Sequence, residues 1–320
     1  MHKRLVNQCT IDFSLIPCGP ILIKSGREGA DPTKPDMEFV ETYHRGGRSV
    51  YLPGSSLKGA IRAHAERIVR TVGRDNRNSD NPDMLWANDP LNDNYDYLKN
   101  KSGSELYKLS SFTDQMFGNT SIASRIRIED AYPVDSQSVK LEERNGVAID
   151  RVFGSVAVGP FNYQVCTAGE FRTKLHLKNF SLAQLGLIGL VLRDLDEGWF
   201  GLGFAKSRGL GIVEVKLNQA VVQYPGCVVA NQRIRRLGGG GEWQYNLLLG
   251  AGMFLEEAER ERYGFPANDM QDTPLRAESM ALGFGVQLNW QGKEQVEDLF
   301  IRAVRAWRQR VEADSSPYVA

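Results

Sequence analysis

Apolar residues recur at helical spacing in three long stretches of the chain and at alternate positions in several shorter ones. Leu57, Ile61, Ala65, Ile68 and Val72 repeat every three or four residues, which predicts a helix with one buried face and with Lys58, Arg62 and Arg70 reaching outward. Pro53-Gly54 marks a turn before it, Ser55 and Ser56 are residue types that cap helices, and Gly73 is a natural stop. Ser181 opens a second helix along Leu182, Leu185, Ile188, Leu192 and Leu195, ending at Gly198. The third runs from Lys293 to Val311, with Val296, Phe300, Val304 and Trp307 on one face and Arg302, Arg305, Arg308 and Arg310 on the other. That basic face is either solvated or a docking surface for a neighbouring subunit.

Alternation of period two predicts strands over Arg4–Ile16, Ser124–Ala131, Glu170–Leu177 and onward from Ile212. Met37–Thr42 and Ser49–Leu52 flank His44-Arg45-Gly46-Gly47 and read as a hairpin, and Glu105–Phe117 reads as a short helix. Residues 139–165 read as a longer hairpin with turns at Asn145-Gly146 and Gly154. The order strand, helix, strand, strand, helix, strand is that of an α+β, ferredoxin-like (RRM-like) core. Residues 74–104, rich in Asn, Asp, Ser and Pro, read as an exposed insertion. We divide the chain into a core of residues 1–220 and a C-terminal extension of residues 221–320 packed on the same core. Within the extension, Arg233–Gly241 is basic and glycine-rich, and reads as a linker or as a contact for RNA or a partner.

Composition narrows the function less than the pattern does. The 320 residues are 42% hydrophobic, as a globular core requires, and 39 basic residues balance 39 acidic ones. Net charge therefore gives no pull toward nucleic acid, and any RNA contact must come from a local basic surface. Cys9, Cys18, Cys166 and Cys227 are scattered without a C-x-x-C pair, which argues against a zinc site and a disulfide framework and for buried thiols. With no signal-like N-terminus and no run long enough to span a membrane, the expectation is a cytoplasmic protein with no membrane partner.

Two stretches carry candidate chemistry. PGSSLKGAIR, residues 53–62, puts Ser55, Ser56, Lys58 and Arg62 in the first turns of a helix, where unpaired N–H groups and the positive end of the dipole suit a phosphate. Plain helix capping accounts for the same serines. GWFGLGFAKSRGLG, residues 198–211, sets Lys206 and Arg208 among five glycines and runs into a strand. It is not a Walker loop, because Ala205 precedes the lysine and a strand follows where that motif needs a helix.

Together, PGSSLKGAIR and GLGFAKSRGLG resemble the RAMP superfamily of CRISPR-associated RNA-binding proteins, and most closely the repeated backbone subunits of type III effector complexes. MFG followed by SRIRIEDA adds to the likeness, which covers roughly residues 1–220. The resemblance implies binding of a guide crRNA through Ser55, Ser56, Lys58, Arg62, Lys206 and Arg208. It also implies head-to-tail association with neighbouring backbone subunits and other effector proteins. The hairpin of residues 139–165 would be a thumb whose Val152 and Phe153 displace a base; as a structural alternative, the two pack within the hairpin. An aspartate in the loop before the first helix is associated in that family with metal-dependent cleavage of the single-stranded target RNA. Asp36 matches its position best once a hairpin two residues longer is allowed, and Asp31 is the reserve. Mg2+ would be the ion, held transiently by Asp36. Two other readings stay open: a noncatalytic structural subunit of such a complex, and a guide-processing ribonuclease using His2, His44, His64 or His176.

Overall fold

The computed structural model describes residues 3–26, 35–44, 47–77, 84–91 and 94–315. Strand β1 (Gln8–Pro17) is central and buried along Ile11–Leu15, with Cys9, Ile11, Phe13 and Leu15 on its helix-covered face. A hairpin of β2 (Glu41–His44) and β3 (Gly47–Val50) leads into α1 (Gly54–Val72). Two short helices, α2 (Gly103–Leu109) and α3 (Asp114–Phe117), precede β4 (Ile126–Ile128) and β5 (Tyr132–Pro133). A long hairpin of β6 (Lys140–Ile149) and β7 (Val156–Ala168) then projects outward, its distal half exposed on both strands. Next come β8 (Phe171–Lys178), α4 (Leu182–Asp196) and β9 (Val213–Tyr224).

The strands pair in the order β9-β1-β8-β4, all antiparallel, with α1 and α4 on one face. This is the ferredoxin-like arrangement that the order of elements predicts. It forms because each strand alternates apolar with polar residues, β8 burying Phe171, Thr173, Leu175 and Leu177 while Arg172, Lys174 and Lys178 face out. The open face of the central strands carries Thr10, Asp12, Ser14, Arg172, Lys174 and His176, with Arg172 gripping the buried Asp12 carboxylate through two nitrogens at 2.7 and 3.1 Å. Of these six side chains only His176 is an aromatic ring, and it is tied to Thr10 and Glu129, so the face lacks the set of aromatics on which an RRM stacks its bases.

Residues beyond 220 extend the same sheet. A small sheet of β10 (Cys227–Ala230), β11 (Arg233–Arg236) and β12 (Glu242–Gln244) is followed by β13 (Leu247–Leu249), α5 (Glu257–Tyr263), β14 (Met270–Asp272) and β15 (Glu278–Ser279). Then β16 (Val286–Gln291) pairs with β9, and α6 (Gly292–Ser315) lies along α4. The approach is close because α4 carries Gly186 and Gly189 where Ala303 and Phe300 press in.

Asp269 locks this region to the core: it is fully buried, with Oδ1 accepting from Leu182 N–H at 2.9 Å and Oδ2 from Gly252 N–H at 3.2 Å. Burial pushes its carboxyl up to about 7, against those two hydrogen bonds. An unfolded aspartate titrates near roughly 3.9. The site's contribution to stability is therefore fully present below about pH 4 and is lost as pH rises through about 7. We expect Asp269→Asn, which has no charge to gain, to flatten the pH dependence of urea unfolding between those limits. An unchanged profile would remove Asp269 as its source.

Five expectations are corrected. Arg233–Arg236 is a strand rather than a linker, held because Ile234 is wholly buried. The 74–104 insertion is anchored, with Leu85, Trp86 and Ala87 buried and Leu85 N–H donating to Asp314 of α6 at 3.0 Å. Residues 105–117 form two helices, broken where Ser110–Thr113 turn their side chains to bond backbone and one another. Asn145-Gly146 lies in mid-β6, and the hairpin reverses at residues 150–155, where Asp150 Oδ1 accepts from Val152 and Phe153 N–H. Cys18 is exposed, unlike the other three cysteines.

Candidate nucleic-acid interface

Register shows that both glycine-bearing turns open one end of the sheet. β1 finishes with Pro17 opposite Val213, the first residue of β9, and Leu15 faces Phe171, the first residue of β8. The α4–β9 connection and the base of the long hairpin therefore share that end. The chain enters α1 there too, since β4 runs toward Phe171 and, just beyond it, Ala131 pairs with Leu52 and Asp130 bonds Gly54. His64 of α1 stacks on Phe200 at the start of the glycine-rich loop, with ring centroids 4.3 Å apart.

The loop is welded to the strip that follows β1. Cys18 N–H donates to Ile212 O, Gly211 N–H to Pro20 O at 2.9 Å and Phe204 N–H to Leu22 O at 2.7 Å, while Leu202 N–H closes the neck on Gly211 O at 2.8 Å. Ala205 and Gly209, both left-handed, bracket one short turn that holds Lys206 and Arg208 in solvent. Neither cation has an ion-pair partner among the described residues.

The other edge of the same strip carries the long hairpin and Asp36. Ile21 bridges Cys166 of β7, and residues 23–25 pair with 38–40. Met37 bonds the β7 backbone through Asn162 O and Gln164 N–H, and Asp36 Oδ2 accepts from Asn162 N–H at 2.8 Å. Asp36 is thus an exposed carboxylate at the foot of the hairpin. Val152 and Phe153 occupy its tip, 82% and 85% exposed, so they are not packed within the hairpin. Asp31 lies outside the described residues.

At the start of α1 the chemistry differs from the expectation. Pro53 is the N-cap, and Gly54 N–H donates to Asp130 Oδ1 at 2.7 Å. A carboxylate from a distant segment does the capping, so Ser55 and Ser56 lie inside the helix with hydroxyls that bond nothing else described. Lys58 Nζ donates to Ser124 Oγ at 2.8 Å, and burial together with the nearby Arg62 guanidinium lowers its ammonium below lysine's ordinary value. Arg62 itself is occupied: it donates to Glu66, to Gly118 O and to Asp114 Oδ1 at 2.7 Å. Asp114 is wholly buried, and burial raises its carboxyl against the opposing pull of Arg62. Arg62 therefore ties α1 to α3.

Sequence reasoning passed over a stack beside this helix start, His44 on Tyr132 at 3.8 Å and Tyr51 on Tyr132 at 5.8 Å. Its signal was aromatic residues next to turns, but the three meet only because β3 and β5 lie together. The remaining described histidines are structural. His64 is buried with Nε2 2.7 Å from Asp194 Oδ2, and His176 bridges Thr10 and Glu129 on the open sheet face. His2 lies outside the described residues.

The RAMP superfamily model matches residues 16–214, more than half of the chain, spanning both glycine-bearing turns and the hairpin between them. The chain belongs to the RAMP superfamily. A search of curated proteins finds no match. Membership in the RAMP superfamily points to a CRISPR-associated, RNA-binding subunit that works within a larger complex. Among the described residues, no helix is long and apolar enough to cross a membrane.

Proposed function

We propose that this RAMP protein is a guide-RNA-binding backbone subunit of a type III effector complex, and that it cleaves the target RNA paired to that guide. The observation that carries the reading is the meeting, at one end of the sheet, of unpaired Lys206 and Arg208, the exposed Asp36 carboxylate and a projecting hairpin with an apolar tip. Cations without protein partners suit a polyanion, and a backbone grip is all that is needed when base pairing supplies specificity. Val152 and Phe153 offer the apolar surface that offsets lost stacking when a base is displaced. A kinked target backbone would then let a 2′-oxygen attack its own phosphorus. The new 2′-O–P bond forms as the bond to the 5′-oxygen breaks, the 2′-proton leaves to Asp36 or water, and the 5′-oxygen takes a proton from water. The products are a 2′,3′-cyclic phosphate and a 5′-hydroxyl.

Asp36 is a hard oxygen donor whose Oδ1 makes no hydrogen bond among the described residues, so its chemistry suits Mg2+. Among the described residues there is no group of three or more metal-binding side chains. The protein would thus contribute one carboxylate and the RNA its own phosphate oxygens. A bound Mg2+ would supply neutralisation of charge developing on the phosphate. His64 is taken up by Asp194, His176 by Thr10 and Glu129, and His44 is stacked on Tyr132, which favours the effector reading over a histidine-based guide processor.

Guide affinity measured against salt concentration tests this function. We expect a steep decline for the wild type, and for the Lys206→Ala/Arg208→Ala variant a slope shallower by roughly 0.7 for each phosphate contact removed. Equal slopes would show that the loop does not hold the RNA backbone.

A further inference from the structure

Between the glycine-rich loop and the foot of the hairpin lies a cleft assembled from four distant segments. Its cavity, about 50 Å3, is lined by Leu22, Met37, Phe161, Tyr163, Phe204 and Arg208 among others. Phe161 and Tyr163 share one face of β7 with ring centroids 6.3 Å apart. Phe161 lies flat against β6 because residue 146 is glycine: a Cβ there would stand 2.6 Å from the Phe161 ring. Phe204 faces them from the loop, 44% exposed although its backbone is pinned to Leu22. A large ring held half in solvent by a fixed backbone is a surface waiting for a flat partner.

We infer that Phe161, Tyr163 and Phe204 form a stacking site for one unpaired nucleobase, with Arg208 reaching the phosphate of the same nucleotide. This deepens the proposed function and rests on its RNA-binding part. The cleft is apolar, has a cation at its mouth, and no carboxylate lines it, which suits a planar ring tethered to an anion. The volume is less than that of a base, so the base lies over the rings with an edge directed inward. A base within a duplex has both faces covered, so the site selects a nucleotide that is single-stranded or displaced. Asp36 bonds Asn162, the residue between the two hairpin aromatics, so a base stacked here would bring its own backbone beside that carboxylate.

Single-stranded RNA oligonucleotides carrying 2-aminopurine at successive positions, titrated with the full chain, test the inference. Fluorescence of this base is quenched by stacking. We expect quenching at a distinct position with the wild type and its loss in Phe204→Leu, which keeps an apolar side chain but removes the ring. RNA affinity should fall about 5- to 150-fold, the range for losing one base–aromatic stack. Tyr163→Leu should act in the same direction, and matching thermal midpoints would show that both variants are folded. If the wild type binds RNA while both variants bind equally well and quench equally, the stacking site is refuted and RNA binding by the loop stands. If the wild type binds no RNA, both fall.

Discussion

Replacing Asp36 by alanine should reduce target cleavage by at least about 100-fold while leaving guide affinity unchanged. The magnitude follows from what one positioned carboxylate contributes by accepting a proton or orienting a reacting group, roughly 10²- to 10⁴-fold. Asp36 is exposed, its Oδ1 makes no bond among the described residues, and its Oδ2 is held by Asn162 N–H, so the carboxylate is aimed rather than loose. Asp36→Asn provides the sharper comparison. It retains an oxygen for Asn162 N–H, so the foot of the hairpin keeps its geometry while the charge is lost. Both variants should assemble, bind guide and fail to cut, as read by gel analysis of labelled target. Cutting at the wild-type rate by an Asp36→Ala complex would show that another carboxylate or another subunit acts, and the chain would then be a noncatalytic holder of RNA.

Gly211→Ala should be among the most damaging single changes in the glycine-rich loop, with Gly203→Ala, whose Cβ would meet Leu22 O, beside it. The φ of Gly211, +91°, is in the left-handed range, and an added Cβ would sit 2.1 Å from Leu202 O. That clash falls on backbone at the neck, where Gly211 also bonds Pro20 and Leu202, so no side chain can swing aside. Strain and overpacking together should cost about 2–4 kcal/mol in chemical denaturation. Guide affinity should drop further than in the Lys206→Ala/Arg208→Ala variant, because the displaced neck misplaces Lys206, Arg208 and Phe204 together. Gly209→Ala is the control. Its φ is +81°, yet its Cβ would meet no atom within 4 Å, so only the backbone strain, about 1 kcal/mol, should appear. Equal effects of the two substitutions would contradict the role given to the neck.

The sheet and its helices were legible because their signals are local. Alternation in β1 and β8, the Ser181 cap with Gln184 returning to it, and the apolar stripe of α6 each announce an element without its neighbours. What stayed hidden depends on residues far apart in sequence. Asp130 caps α1 across 76 residues, so the serines seemed to be needed as caps. Arg62 looks like a free cation until Asp114 arrives from α3. Ile234 turns a basic, glycine-flanked segment into a strand by burying itself. For the proposed site, PGSS and the glycine-rich loop both pointed to the end of the sheet where the structure brings them, whereas the aromatic cleft at the hairpin foot needed four segments to meet and left no pattern in any one of them.

The central claim is that RNA lies across the end of the sheet where the glycine-rich loop, the hairpin foot and Asp36 converge. Photocrosslinking a 4-thiouridine guide RNA to the full chain, followed by mass spectrometry of the joined peptides, tests it most directly. We expect crosslinks within residues 198–211 and 156–168. Crosslinks confined instead to the open sheet face around Arg172 and Lys174, or to residues beyond 220, would contradict the account.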